Sequence, residues 1–442
     1  MKKALCIFLS VVLLSGSCIT GTFSANAQVV ATPTDAAVII NGGFMGFEAY
    51  EIDGYNYFKL RDIAFAINGT DKNFEVVWDE STNSVRLISK TAYTPVGGEM
   101  QKKTPDTISV SPTNSAVYHD GYLQNLSAYL INGNNYFKLR DILAVFDIDV
   151  SWDSFSKLIY FDSFDQKTVR VKNAAEFMAA IGSNTDIILE PGVYDFTELT
   201  EKSTYGCVIK HVSNLNIIGA GTDKTELING DRFKEVLTFE NCRNISIRGV
   251  KAGHTPQKYE CDAGVFSFGN CLDVSVGDCY LYGCGSIGIG ISGSENVSVN
   301  NTVITDCSYR AVLISDSSNV VFDNCEIIKN RAYAAVITVG ANLRPCSVSF
   351  NKCEIADNYN IEWAFIDAWN YSEDMGVSLV FNECNIISNM QALGEDTYFF
   401  DAQEGVVELN NCIIKNNIFR YEYSISPPRY TDCEFSWNTY IG

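Results

Sequence analysis

The sequence predicts a mainly β protein: a C-terminal solenoid of stacked parallel strands, preceded by a small α+β lobe built from two repeats. Two observations carry that reading. From about residue 243 onward one phrase recurs, an alternating apolar run, Asn-Cys or its equivalent, an apolar pair, and an Asn five positions past the centre. Between residues 34 and 163 a different phrase of fifteen residues returns 79 positions later. Self-similarity of this kind outweighs any single residue, because it reports one supersecondary unit stacked on copies of itself.

At the N-terminus, Lys2 and Lys3 precede an apolar stretch from Ala4 to Leu14 and a small-residue end, Ala25-Asn26-Ala27. This is the pattern of a secretory signal peptide over residues 1–27, cut near Ala27, so a secreted or cell-surface protein is expected. Cys18 raises a lipoprotein alternative, but Ser15 stands where a lipobox carries Leu. No later stretch is long and apolar enough for a membrane span. The formal charge is −21, and it becomes more negative by two when Lys2 and Lys3 leave with the leader. That charge disfavours nucleic acid and anionic lipid as partners. It also disfavours a polyanionic substrate unless a basic groove exists, and the solenoid sequence offers none.

In the lobe, residues 28–163, Ala49-Tyr-Glu-Ile-Asp-Gly-Tyr-Asn-Tyr-Phe-Lys-Leu-Arg-Asp-Ile63 returns as Ala128-Tyr-Leu-Ile-Asn-Gly-Asn-Asn-Tyr-Phe-Lys-Leu-Arg-Asp-Ile142. Each copy then reaches a Trp-Asp pair, Trp78-Asp79 and Trp152-Asp153, and reads strand, turn, strand, short helix, strand. Leu60, Ile63, Ala64 and Ile67 fall at helical spacing, as do Leu139, Ile142, Leu143 and Phe146, and both stripes are expected in the core. Lys59, Arg61 and Asp62 are expected on the solvated side. Thr94 to Thr113 reads as the connection between copies, and the two should pack as one lobe because each half is small for a core. Through Tyr-Phe-Lys-Leu-Arg-Asp the arrangement resembles the copper amine oxidase N-terminal-like module, a stalk domain of exported proteins of Gram-positive bacteria. The resemblance implies a spacer or wall-associated role without copper. The chain lacks both the Asn-Tyr-Asp/Glu sequence of the quinone cofactor and a histidine triad.

In the solenoid, Val250, Cys279, Thr302, Cys325, Cys353, Cys384, Cys412 and Cys433 align as repeat centres. Five places on stand Thr255, Cys284, Cys307, Asn330, Asn358, Asn389, Asn417 and Asn438. The two shortest repeats, Leu272 to Ser294 and Glu295 to Ser317, each hold three period-two runs separated by Gly, Ser, Asn and Asp. A triplet of strands that repeats in register requires parallel stacking of like on like. The chain here resembles the pectate-lyase-like right-handed parallel β-helix over residues 166–442, whose tight turn carries a matching Asn ladder. Rungs about 4.8 Å apart let stacked Asn side chains hydrogen-bond down the column.

Of the 15 cysteines, Cys6 and Cys18 lie in the leader. The remainder number an odd thirteen, so at least one thiol is unpaired. Parallel stacking keeps neighbouring Cβ atoms farther apart than the roughly 3.8 Å of a disulfide, so these cysteines are read as buried small hydrophobes. With no Cys-x-x-Cys and only His119, His211 and His254, neither a metal nor a cofactor is expected. Before the first coils, Asn173 with Glu176 three residues on forms a capping box for a helix over residues 173–181, with Ala174, Phe177, Met178 and Ile181 as its apolar face. It should cover the open end of the first rung.

Candidate chemistry lies where the repeat lengthens. The outward residues of the first sheet, among them Ser246, Asp273, Asn296, Asn319 and Asn382, are short and polar and, Arg248 apart, supply neither cation nor base for a lyase reaction. One insertion after Val250 holds His254, Lys258, Tyr259, Glu260 and Asp262; His254 is a candidate proton carrier. Its bland alternative is a solvated histidine in a Pro-braced surface loop. The second insertion is aromatic and acidic: Tyr359, Glu362, Trp363, Trp369, Tyr371 and Asp374, joined in the next coil by Tyr398 and Glu404. These residue types stack on sugar rings and bind hydroxyls, so they are candidate substrate-binding groups. Ala364-Phe-Ile-Asp367-Ala and Tyr398-Phe-Phe-Asp401-Ala look like stacked copies that place Asp367 and Asp401 about 5 Å apart, near the separation of retaining glycosidases.

The expected protein is therefore an exported, cell-surface-associated β-helix, monomeric, that binds a polysaccharide or cell-wall glycan. If it is an enzyme, it is a polysaccharide lyase or glycoside hydrolase. The alternative is a non-catalytic structural or adhesive module with the β-helix as scaffold.

Overall fold

The computed structural model describes residues 29–34, 37–101, 106–153, 156–200, 203–255, 262–283, 285–370, 375–392, 397–403 and 406–441. The leader, Lys258, Tyr259, Glu260, Cys261, Cys284, Tyr371, Asp374 and Glu404 lie outside these residues.

The lobe is two interlocked copies of one unit. In each copy a tight hairpin turns on two consecutive left-handed residues, Asp53-Gly54 (φ 51 and 78) and Asn132-Gly133 (φ 47 and 79). That is the type I′ geometry for which Asp-Gly and Asn-Gly are suited. The hairpin strands Ala49–Ile52 and Tyr55–Lys59 meet Asn134–Lys138 and Ala128–Ile131 in one sheet, Phe58 lying opposite Phe137 across the junction. Helices α1 (Leu60–Ala66) and α2 (Leu139–Ala144) follow, and all eight residues of the two predicted stripes are buried. The outer strands are exchanged. Ser84–Ser89 of the first copy pairs with Ala116–His119 of the second, and Leu158–Phe161 of the second pairs with Ala37–Ile40 of the first. Each copy thus completes the other's sheet, and one apolar core runs through both, with Phe74 stacked on Phe146 at 4.1 Å.

One expectation fails here. Asp62 is 1% exposed rather than solvated. The segment before Met100 folds back over the first turn of α1, so the Asp62 carboxylate accepts the Met100 N–H at 3.0 Å and pairs with Lys59 at 3.3 Å. Burial raises its pKa.

The remainder of the chain is a right-handed parallel β-helix of three long sheets. The first has eleven strands from Lys167–Val171 to Arg429–Thr431, the second ten from Gly192–Asp195 to Glu434–Ser436, and the third nine from Cys207–Lys210 to Tyr421–Tyr423. Helix α3 (Ala174–Ala180) packs against the first strands of this stack. Asn173 caps the helix as predicted, its Oδ1 accepting the Glu176 N–H at 2.9 Å, while the return bond of the box is shifted by one residue, Glu176 accepting the Lys172 N–H at 3.1 Å. Phe177 of α3 is fully buried at the first coil.

The Asn column occupies one corner. Nδ2 of Asn330, Asn358, Asn389 and Asn417 donates to Oδ1 of the next Asn at 3.0, 2.9, 3.0 and 3.0 Å, ending on Asn438. From Arg331–Ala332 onward the same corner carries a fourth sheet of five two-residue strands, which periodicity alone had not shown. Inside, Phe322, Phe350 and Phe381 stack at 4.6 and 5.1 Å. All eleven described cysteines are free thiols, ten of them buried. They behave as the predicted small hydrophobes, and burial pushes the thiols of Cys207 and Cys279 up to about 12. The lobe is fastened to the solenoid by Arg243, whose guanidinium lies 3.4 Å from both the Asp153 carboxylate and the centre of the Tyr160 ring.

Candidate functional site

The stacking register brings the two predicted carboxylates together. Strands Ala364–Asn370 and Tyr398–Ala402 are neighbours in the third sheet with Asp367 directly opposite Asp401. Adjacent parallel strands are about 4.8 Å apart. Both side chains belong to the outer face, because the flanking Ile366, Ala368, Phe400 and Ala402 are buried in the core. The column continues as Thr338, Asp367, Asp401 and then Ser424, whose hydroxyl donates to Asp401 Oδ1.

Asp367 is the unusual member. Burial, and then the charge of Asp401, raises its pKa to about 6, while Arg310 and a hydrogen bond with Trp369 pull the other way. Two carboxylates that are close and shielded from water share a proton more readily than both ionise. Arg310 is itself fixed: its Nε donates to Thr338 Oγ1 at 3.0 Å and its guanidinium lies 4.6 Å from the Tyr309 ring. Trp369 stands two residues from Asp367 on the same face and is half-buried. Tyr398, also half-buried, packs its ring 5.6 Å from Tyr421. The arrangement offers an acid whose pKa is raised to about 6, a second aspartate one rung away, a cation and aromatic side chains.

The other predicted residues spread further. Trp363, 71% exposed, sits at the corner just before this strand, and its carbonyl accepts the Tyr398 N–H at 3.0 Å. Glu362 accepts the Tyr333 hydroxyl at 2.8 Å, and Tyr333 in turn stacks on Tyr309. Tyr359 lies in the fourth sheet with the Arg331 guanidinium 5.5 Å from its ring. Tyr371, Asp374 and Glu404 are outside the described residues.

His254 does not belong to this site, and neither of the forms in which it was read fits. It ends the second-sheet strand Lys251–His254, is 3% exposed, and its Nε2 lies 2.8 Å from the Gly264 carbonyl. Burial lowers its pKa, so it is a neutral core histidine that donates to that carbonyl. The third-sheet register counts four ladder steps from its coil to Asp367, through Phe266, Ile289, Val312, Ile337 and Ile366. Four steps amount to about 19 Å. His254 is therefore remote from the carboxylate pair. Sequence reasoning missed Arg310, Tyr421 and Ser424, which lie in coils of ordinary length. Register could have found Ser424, which follows Asp401 in the column, but not Arg310, which lies two rungs from Asp367 and three residues out of its column. Among the described residues no group of three or more His, Cys, Asp or Glu is placed to hold a metal ion.

A family profile described as right handed beta helix region matches residues 203–377. Solved structures with a likeness to the chain include Geobacillus virus E2 ORF18, at 12% identity over 74% of this chain and 71% of that one, with a TM-score of 0.36. An alginate lyase from Paenibacillus sp. shares 12% identity over 60% of this chain and 99% of its own, with a TM-score of 0.32. A pectin methylesterase from carrot shares 12% over 57% and 82%, with a TM-score of 0.38. No curated protein matches the sequence. Likenesses at this level do not say what this chain acts on.

Proposed function

We propose that the protein is exported, is held at the cell surface with its N-terminal lobe as a stalk, and binds a polysaccharide across the outer face of its third sheet, where Asp367 and Asp401 cleave it. The observation that carries this reading is the stacked pair itself, one member of which stays protonated up to about pH 6. A rung of about 4.8 Å lies close to the roughly 5–5.5 Å between the carboxyl groups of retaining glycosidases. In that chemistry Asp367 gives its proton to the glycosidic oxygen while Asp401 attacks the anomeric carbon, breaking the bond to the leaving sugar and forming a glycosyl ester. Ionised Asp367 then takes a proton from water, whose oxygen displaces Asp401 and restores both groups. Trp369, Trp363 and Tyr398 supply ring faces for the sugars.

The hydrogen bond from Ser424 to Asp401 favours a second reading, in which the column is one more structural ladder and the protein is a non-catalytic adhesive module. A panel of plant, algal and bacterial wall glycans separates the two. The expected result is new reducing ends that disappear in both Asp367→Asn and Asp401→Asn, with binding retained. Binding without new ends in the unaltered protein leaves the adhesive module, and neither binding nor ends overturns the proposal.

A further inference from the structure

The two copies in the lobe are close in sequence and related by the central strand pairing, yet they differ at one place that faces outward. A cleft of about 430 Å³ opens beside the start of α1 and is lined by Lys59, Arg61, Trp78, Leu130 and Asn134 among others, with no carboxylate among the described residues of its wall. Its volume is of the size that accommodates a small ligand. In a chain of net charge −21, a wall that presents Lys59 and Arg61 is locally basic, the nearest acids, Glu48 and Glu99, lining the adjoining hollow.

Stepping 79 positions relates this cleft to the corresponding place in the other copy. There Asn134 becomes Tyr55 and Leu130 becomes Glu51. The Tyr55 ring takes the ammonium of Lys138, the counterpart of Lys59, at 3.6 Å. One aromatic side chain thus occupies the lysine that in the first copy borders open space, and an acid stands at the rim. Asn134 is too short to do the same.

The charges around the open cleft are settled by their partners. Lys59 donates to the Gly98 carbonyl at 2.8 Å and is neutralised from behind by Asp62. Arg61 meets the uncharged Tyr93 hydroxyl at 3.3 Å, and Glu99 is reached only beyond that hydroxyl, which donates to it at 2.7 Å. Arg61 is therefore the cation here whose hydrogen bond goes to an uncharged group, with Glu48 and Glu99 bordering the adjoining hollow. Opposite stands Trp78, 45% exposed, and Leu130, 53% exposed. A guanidinium beside an amide and an exposed indole matches a ligand with a planar anionic group on a ring that has an apolar face.

We propose that this cleft binds an acidic sugar, a uronate residue of a carboxylated polysaccharide, and that it is the basic subsite the solenoid lacks. It is independent of the Asp367 and Asp401 pair. The test is calorimetric titration of the full chain with tetragalacturonate, with a neutral cello-oligosaccharide and with a glycerol-phosphate oligomer. Tetragalacturonate should bind best and weaken several-fold between 0.05 and 0.5 M salt, about the range over which exposed charges become screened. Arg61→Gln and Trp78→Ala should each weaken it at least about tenfold, the loss of a charge-assisted hydrogen bond or of a stacking face. Asn134→Tyr, which installs the other copy's plug, should abolish it, and Asp367→Asn should not change it. Melting temperatures near that of the parent show that each variant is folded. Equal binding of the neutral oligosaccharide, preference for the phosphate oligomer, or undiminished binding by folded Arg61→Gln overturns the proposal, while loss in Asp367→Asn alone moves the ligand to the solenoid.

Discussion

The corner Asn ladder and the stacked pair Asp367 and Asp401 both set like residues on neighbouring rungs, and they obey opposite rules. In the corner column each buried Asn is donor and acceptor at once, so Asn389 Oδ1 accepts from Asn358 while its Nδ2 donates to Asn417 Oδ1 and to the Ile355 carbonyl. A stack of amides satisfies itself, and every added copy extends the network. On the outer face of the third sheet Asp367 and Asp401 stack in the same manner, but ionised carboxylates only accept, and like charges on neighbouring rungs oppose each other. The fold accommodates that pair by raising the pKa of Asp367 to about 6 and setting Arg310 nearby. Repetition that satisfies itself marks scaffold. Repetition that costs free energy points to a use.

The sharpest way to break this contrast is to interrupt the corner. Asn389→Ala takes the acceptor from the Asn358 N–H, one of the two acceptors from Asn358 Nδ2 and the side-chain donor from the Ile355 carbonyl, all in a fully buried site. Each such loss costs about 1–3 kcal/mol, so a destabilisation of roughly 4 kcal/mol is expected in denaturant unfolding. Asn389→Asp is expected to be at least as damaging at pH 7, since it buries an anion against two oxygen acceptors. A protonated aspartic acid can donate one of the missing bonds, so its folded pKa is raised and part of the stability returns as pH falls through that raised value, the gain being complete once pH is below the ordinary carboxylate range. Equal stability of Asn389→Ala and the parent would make the column ornamental.

The outer pair should respond in the opposite direction. Its raised folded pKa means that Asp367 contributes most to stability below about pH 4 and that this contribution is lost as pH rises through about 6. Two pH units of displacement correspond to about 2–3 kcal/mol at most. Asp367→Asn removes the ionisation, so the variant should gain up to that amount relative to the parent at pH 7.5 and little at pH 4. Asp401→Asn should narrow the same gap, because Asp401 is part of what raises Asp367. Unfolding curves at the two pH values measure both. A loss of stability at pH 7.5 in Asp367→Asn places the pair with the structural ladders.

The asymmetry between the two columns also explains what could be read in advance. Coil boundaries, the Asn ladder, the buried thiols and the stacking of Asp367 on Asp401 follow from register, and register is fixed by a side-chain period of two together with a repeated turn. The site around the pair does not follow from it. Arg310 belongs to a coil of ordinary length and reaches Asp367 by leaning across a rung, which no local pattern announces. His254 failed for the complementary reason: it was read with the polar insertion that follows it, but its place in the coil puts it over the core beside the Gly264 carbonyl. Asp62 failed likewise, since the segment that covers it is 38 residues away.

A weaker, exposed ladder tests whether stacking itself matters when water can compete. Asn319 donates to Asn296 Oδ1 at 2.8 Å on the surface of the first sheet, as Asn296 does to Asp273 at 2.9 Å, and all three residues hold φ between 54 and 58. Two effects could keep Asn there, the side-chain bond or the left-handed backbone. An exposed bond exchanges with water and contributes little, whereas an ordinary L-residue in that backbone region costs about 1 kcal/mol or more. Asn319→Ala should therefore lower stability by about 1 kcal/mol, and Asn319→Gly, which lacks the bond but accepts the backbone, by only a few tenths. If Asn319→Gly costs as much as Asn319→Ala, the exposed amides act as the buried ones do, and the distinction between scaffold ladder and surface turn collapses at this face.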